Sequence, residues 1–449
     1  MTTAVASTVD WPRWEDPAFY LQEAEVMQAQ MAAQREAAPL HWYEAPRLAT
    51  GVWVLSKWAD CRFVGSHPDL FCIKYGHAVG DANEPTEAVL NQLPEWARKE
   101  MAKPGVTAAQ RRGLIARGKL SLGDPELENM IFLDPPRHGQ VRNIFMSALK
   151  PSLVRSLKPR MGEIADEFID EMVKPGEEVD FVKTIGRIPA AVMTEMVGVP
   201  REMREEFIRM ASGHLEAVTV TPDKAPAEVE RINALSKEFR DYIEELLAER
   251  RANGGKGEDL ISMIVRSELD GGPLPHSLAF VFVTHFISAG ETTRALLSHL
   301  AMALGQRPDQ RRLLLDQPDL LQNAIEETMR YYPVNWSGCR TATQDIEIGG
   351  QTVAEDDYVV MAYAAANRDP DVYPDPGRYD ITRSFENDHL GFGHGEHSCP
   401  GALLARVDSL AIWQRILARF RDWELAGEPV TWSNPFLRGV TSLPVRFLA

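Results

Sequence analysis

Apolar residues recur at spacings of three and four along Val154 to Met172, Arg231 to Arg251, His276 to Gln306 and Asp319 to Tyr331, and that period predicts amphipathic helices. The run Ala279 to Ala289 inside the third is apolar nearly all round, which reads as a core helix. It is far shorter than the roughly 20 residues that span a bilayer, holds His285 and is followed by Glu291. Short β-branched runs at Gly51 to Leu55, Ile346 to Val353 around a Gly-Gly pair, and Tyr358 to Met361 read as strands of small sheets. Residues 74–123 and 218–227 mix Gly, Pro and charge without a period and are expected to be mobile lid loops. Residues 1–20 are expected to form an N-terminal extension. Pro and Gly are spread evenly and nothing repeats, so one continuous domain over 1–449, mainly α with small β sheets, is the expected architecture.

Charge narrows the range of partners. The 449 residues carry 48 Lys+Arg against 65 Asp+Glu, a formal net charge of −17. Sequence-independent binding to nucleic acid or to an anionic membrane rewards the opposite sign and is excluded. The four cysteines Cys61, Cys72, Cys339 and Cys399 are too few to staple a chain of this length, and the first residues lack the basic start and apolar run of a secretory leader. A reducing, cytoplasmic setting is expected.

One cysteine sits in an unusual context. Gly391 to Gly401 places glycines at 391, 393, 395 and 401 around Cys399, as suits a backbone pressed against a bulky partner, because glycine has no Cβ to collide. Pro400 and a helical run follow, so the thiol stands at a helix start, where free N–H groups and the positive end of the helix favour thiolate. A His394/His397/Cys399 cluster on zinc or non-haem iron is a second reading of the same residues.

Phe392, Gly395, Cys399 and Gly401 together resemble the haem-binding signature of the cytochrome P450 family. Four further segments, in the family's order, extend the resemblance over nearly the whole chain. His138 with Arg142, Arg340, and His397 are similar to the family's haem-carboxylate clamps. Glu291-Thr292 resembles its oxygen-activation pair, with Ala289 where glycine is usual and Gly290 after it. Glu327 and Arg330, followed by Tyr331-Tyr332-Pro333, resemble its E-x-x-R pair, and Arg383 lies in the segment that partners it.

The resemblance implies a triangular single-domain P450 fold and haem b (iron protoporphyrin IX), with Cys399 as axial ligand and Phe392, Gly393 and Gly401 in the loop around it. It further implies insertion of one oxygen atom from O2 into a hydrophobic terpenoid, steroid-like, aromatic or fatty substrate; the terpene-alcohol hydroxylases are nearest in character. Glu291 and Thr292 would relay protons. Glu327, Arg330 and Arg383 would form a buried structural network. Ala289, Gly290, Val334, Asn335, Trp336, Leu437 and Val440 would line the pocket.

The resemblance implies a fold that uses nearly the whole chain, so no fused reductase is expected, and electrons would come from NAD(P)H through a separate reductase and a small iron–sulfur ferredoxin. Such donors are acidic, which leads to the expectation of a basic patch with Arg137 and Lys150. A monomer is expected. A peroxide-driven enzyme and a non-catalytic haem sensor are the rival functions; the first tends to carry Arg-Pro where this chain has Glu291-Thr292.

Overall fold

The structure, a computed structural model, describes residues 12–121, 124–218, 225–433 and 436–449. The periodic stretches form helices, with breaks where proline imposes them. The first divides into Pro151–Ser156 and Lys158–Met172, because Pro159 opens a new helix. The second lies within Pro226–Ala252, and the last begins as a short turn, Pro318–Leu320, before Leu321–Tyr331.

His276–Gly305 is one unbroken helix of 30 residues, about 45 Å long at 1.5 Å per residue. Ile188–Val197, Leu321–Tyr331 and Ala402–Arg419 pack around it, so its apolar faces are covered and it forms the axis of the main core. Among the described residues no helix is long and apolar enough to cross a membrane.

The strands gather beside this helical body. Leu40–Tyr43, Val52–Leu55, Tyr358–Met361, Gly338–Ala342 and Phe71–Cys72 form a five-stranded sheet in that order. All its pairs are antiparallel except Tyr358–Met361 with Val52–Leu55. The Gly-Gly run folds as a hairpin, Ile346–Ile348 with Gln351–Val353, since Gly349 and Gly350 take the positive φ its tight turn requires.

Two stretches hold more regular structure than their sequence pattern displays. Residues 74–123 contain three helices, Glu87–Gln92, Glu95–Met101 and Ala108–Leu120, of 6, 7 and 13 residues. Their own core comprises Leu93, Ala97, Met101, Leu114 and Ile115. Helices this short give too few repeats for a 3.6-residue period to stand out. The visible signals were the caps: Thr107 accepts from Gln110 N–H while the Gln110 side chain accepts from Thr107 N–H. The N-terminal stretch is also no mere appendage. Residues 1–11 lie outside the described residues, but Trp14, Phe19 and Tyr20 are buried in a second core beneath the five-stranded sheet. Of the other expected loop, residues 219–224 lie outside the described residues; Arg204–Val218 ends before them.

Buried histidines make the fold sensitive to acid. His214, on Arg204–Val218, contacts Ser236 Oγ on Pro226–Ala252 at 2.9 Å, and His299 contacts the Tyr332 carbonyl at 3.0 Å. Burial pushes His214 and His285 down to about 4, and burial with nearby Arg438 takes His299 to about 3. These rings stay neutral in the folded chain, whereas in the unfolded chain they protonate near 6.5. Between those values the unfolded state binds more protons, so stability falls as pH drops from about 6.5 towards about 4. A urea midpoint that declines across this window is expected; a midpoint flat from pH 7 to 5 would contradict it.

Candidate active site

The glycine-rich loop is held between two fixed supports. Leu390–Phe392 forms a short turn, and a Cβ on Gly391 would come within 2.8 Å of the Met329 carbonyl, so that turn lies directly on Leu321–Tyr331. Gly395 has φ +78°, and a Cβ there would lie 1.7 Å from the Gly65 carbonyl, so the loop also lies on the helix Trp58–Ser66. Cys399 N–H then donates to the Phe392 carbonyl at 2.7 Å and sets the thiol at the start of Ala402–Arg419.

Cys61, Cys72 and Cys339 are buried, while Cys399 alone is exposed. Yet burial pushes its thiol up, with the Gly401 N–H, Arg142 and Arg406 acting in the opposite sense. Both observations hold if the sulfur is surrounded by protein and faces an enclosed cleft. Binding a metal would overcome the upward shift, since a coordinating thiol is deprotonated outright.

Around this sulfur the fold assembles side chains from three distant parts of the sequence. The helix Arg137–Ser147 presents His138 and Arg142 one turn apart. The His138 ring centre is 4.0 Å from that of His397, and Arg142 Nη2 donates to the Ser398 carbonyl at 2.7 Å. Arg340 is buried on Gly338–Ala342, and one of its nitrogens donates to the Cys339 carbonyl at 2.7 Å. Burial, then the charges of Arg340 and Arg142, push His397 down to about 3; burial, then His397, push His138 to about 4.

Both rings are therefore neutral beside two permanent guanidinium charges. His397 Nε2 and Glu396 Oε1 are buried 3.4 Å from each other, and neither makes a hydrogen bond. The guanidiniums of Arg142 and Arg340 and the imidazole N–H groups of His138 and His397, beside an accessible thiol, fit a haem, which brings one thiolate-binding iron and two carboxylates needing cationic or N–H partners. Glu396, whose carboxyl burial pushes up, is an acid that no spacing rule had marked. The zinc reading is corrected: His394 Nε2 contacts Ser66 Oγ at 3.0 Å and Arg62 Nε at 3.2 Å, on the other side of the loop.

The E-x-x-R pair is fully buried. Arg330 meets Glu327 through two bonds of 2.8 Å, and Arg383 Nε reaches Glu327 at 3.2 Å. On the central helix Glu291 is part-buried and ion-paired with Arg294, while Thr292 is exposed with its hydroxyl 3.2 Å from the Ala289 carbonyl. The helix runs without interruption through Ala289 and Gly290.

The structure gives further neighbours to the residues expected in the pocket and the basic patch. Gly290 packs on Ala190, whose Cα would lie 3.2 Å from a Cβ built there, so a side chain would crowd that helix contact. Trp336 is buried in the core beneath the sheet, next to the backbone pairing of Asn335 with Leu437. Val334 and Val440 are buried in the main core, and Asn335, Leu437 and Ala289 are part-buried. Arg137 is not an open basic group, since Glu128 and Asp270 both grip its guanidinium. Lys150 is exposed.

The family model described as Cytochrome P450 matches residues 287–444. A linalool 8-monooxygenase of Pseudomonas putida is 29% identical over 97% of this chain and 98% of its own length. A mycinamicin IV hydroxylase/epoxidase of Micromonospora griseorubida is 33% identical over 81% of this chain and 92% of its own. Among solved structures, cytochrome P450 CYP109Q5 from Chondromyces apiculatus aligns with a TM-score of 0.75 at 27% identity, covering 97% of this chain and 98% of that one.

Proposed function

The chain belongs to the cytochrome P450 family of haem-thiolate monooxygenases, and on that premise we propose that it hydroxylates a hydrophobic substrate of terpenoid, steroid-like, aromatic or fatty character, fed by a separate ferredoxin. We further propose that the whole chain acts as one catalytic domain. The observation that carries the reading is the gathering of His138, Arg142, Arg340 and His397 around the loop that presents an accessible Cys399. The linalool and mycinamicin activities named for the two relatives support a lipophilic substrate.

When bound, the haem supplies oxygen activation and transfer to a C–H bond. Cys399 would hold its iron, with Gly393 and Gly401 leaving the backbone clear of the macrocycle and Phe392 beside the sulfur. His138, Arg142, Arg340 and His397 would hold its two carboxylates. Thr292, exposed on the central helix, would hold a water with its hydroxyl and pass protons inward. Glu291 would replenish them after swinging away from Arg294.

Thr292→Ala is expected to uncouple the enzyme: product per electron pair falls roughly a hundredfold, the lower end of the contribution of a positioned proton donor, and peroxide rises to match. Quantifying both with a surrogate ferredoxin and reductase checks this; unchanged coupling would place the proton path elsewhere. Linalool and a panel of lipophiles, titrated by absorbance against the ferric enzyme, test the substrate class, and a panel without a spectral shift would reject it. Turnover by peroxide alone as efficient as with electrons would favour the peroxide-driven reading, and no turnover under any condition would favour a sensor.

A further inference from the structure

Glu326 directly precedes the acid of the E-x-x-R pair but serves a different group. Arg406, on Ala402–Arg419, donates from Nε and Nη2 to its two oxygens at 2.6 and 2.8 Å. His389 completes the set. Its Nδ1 accepts the Gly391 N–H at 3.1 Å, so the ring proton is on Nε2, which donates to Glu326 at 3.0 Å. The ring is therefore neutral in this arrangement and the three side chains sum to zero charge. Burial raises the Glu326 carboxyl, but the bonds from His389 and Arg406 outweigh it and hold the group near 2, so it is ionised throughout the working range.

This group adjoins the thiol. The guanidinium carbon of Arg406 lies 4.4 Å from the centre of the Phe392 ring, and the Phe392 carbonyl takes the Cys399 N–H. Arg406 and Cys399 act on each other electrostatically, as do Arg142 and Cys399. Two guanidiniums thus flank one sulfur; Glu396 acts on Arg142 through space, whereas Glu326 grips Arg406 directly with both carboxylate oxygens.

We propose that Glu326 is a positioning residue that neutralises Arg406 beside the Cys399 sulfur and so sets the reduction potential of the bound iron, a role that rests on the haem-thiolate reading. An uncancelled cation in a poorly screened interior stabilises the electron-richer, reduced state, and outer groups around a metal ligand are known to tune the metal in this way. With Glu326 ionised the iron stays harder to reduce; without it the first electron enters more easily, with or without substrate.

The test is a charge cycle on purified holoenzyme by spectroelectrochemical titration. Glu326→Gln is expected to favour the ferrous form about tenfold, a rise of about 59 mV for a one-electron couple. Arg406→Gln should move the equilibrium the opposite way, and the double variant, neutral again, should return close to the parent. Two singles shifted in the same direction would indicate repacking, and unmoved potentials would show that the pair has no influence; either overturns the proposal. So would failure of all three variants to hold haem, which would make the set structural. The reduced carbon-monoxide spectrum separates the two levels. If the parent lacks the thiolate signature the haem-thiolate reading fails, whereas a normal signature with an unresponsive potential sinks this inference alone.

Discussion

Cys399→Ser abolishes the red-shifted Soret band of the reduced carbon-monoxide complex. That band reports a thiolate opposite the bound gas, and serine offers only a hydroxyl that stays protonated at neutral pH. The fold leaves no substitute: Cys61, Cys72 and Cys339 are buried elsewhere, and burial pushes each of their thiols up. The backbone that presents position 399 does not depend on the sulfur, because its anchors are the Cys399 N–H to Phe392 and the close seating of Gly395 on Gly65. The variant is therefore expected to fold, to retain some haem through His138, Arg142, Arg340 and His397, and to lose monooxygenase turnover. Carbon-monoxide difference spectra with haem quantified by pyridine haemochromogen check this, and a retained signature would exclude Cys399 as the ligand.

Arg330→Ala prevents stable folding. The guanidinium uses all its donor directions: two bonds to Glu327 and further bonds to the carbonyls of Asn367, Pro376 and Arg378 at 3.0, 2.9 and 3.1 Å. Its removal strands Glu327, which is 0% exposed, with Arg383 as the remaining cation and the Asp380 N–H as a further donor. Breaking a buried pair from one side costs about 3–5 kcal/mol, a large share of the 5–15 kcal/mol that typically holds a domain together. Arg330→Lys should rescue little, because one ammonium cannot reproduce a planar fork with five donors. Urea midpoints and haem content of purified variants measure the effect. A variant as stable as the parent would show the network to be dispensable.

Much of this chemistry was legible in the chain because it is local. Cys399 could be singled out from its glycines and the helix after it, and His138 and Arg142 from a spacing of one helical turn. Glu327 and Arg330 were visible as a pair, but three other segments carry the same spacing, and only Tyr331-Tyr332-Pro333 and the downstream partner segment set this one apart. Glu326 next to it drew no notice, since its partners His389 and Arg406 lie 63 and 80 residues away and nothing in local pattern joins such positions. Glu396 was passed over because its significance lies in what His138 and Arg340 bring close to it. Arg137 looked free because its partner Asp270 is 133 residues distant.

Residue order alone determined the helix period, the strand runs, the loop that offers a thiol, and with them the family and its cofactor. Tertiary structure alone decided which charges are cancelled and which remain. It paired Arg406 with Glu326, enclosed Arg137 between two acids, set Gly290 against Ala190 and brought His138 against His397. Short-range geometry follows from backbone dihedrals and side-chain spacing, which any short window of sequence displays. The electrostatics of a buried site are a sum over groups that only the folded chain brings together in a medium of low dielectric.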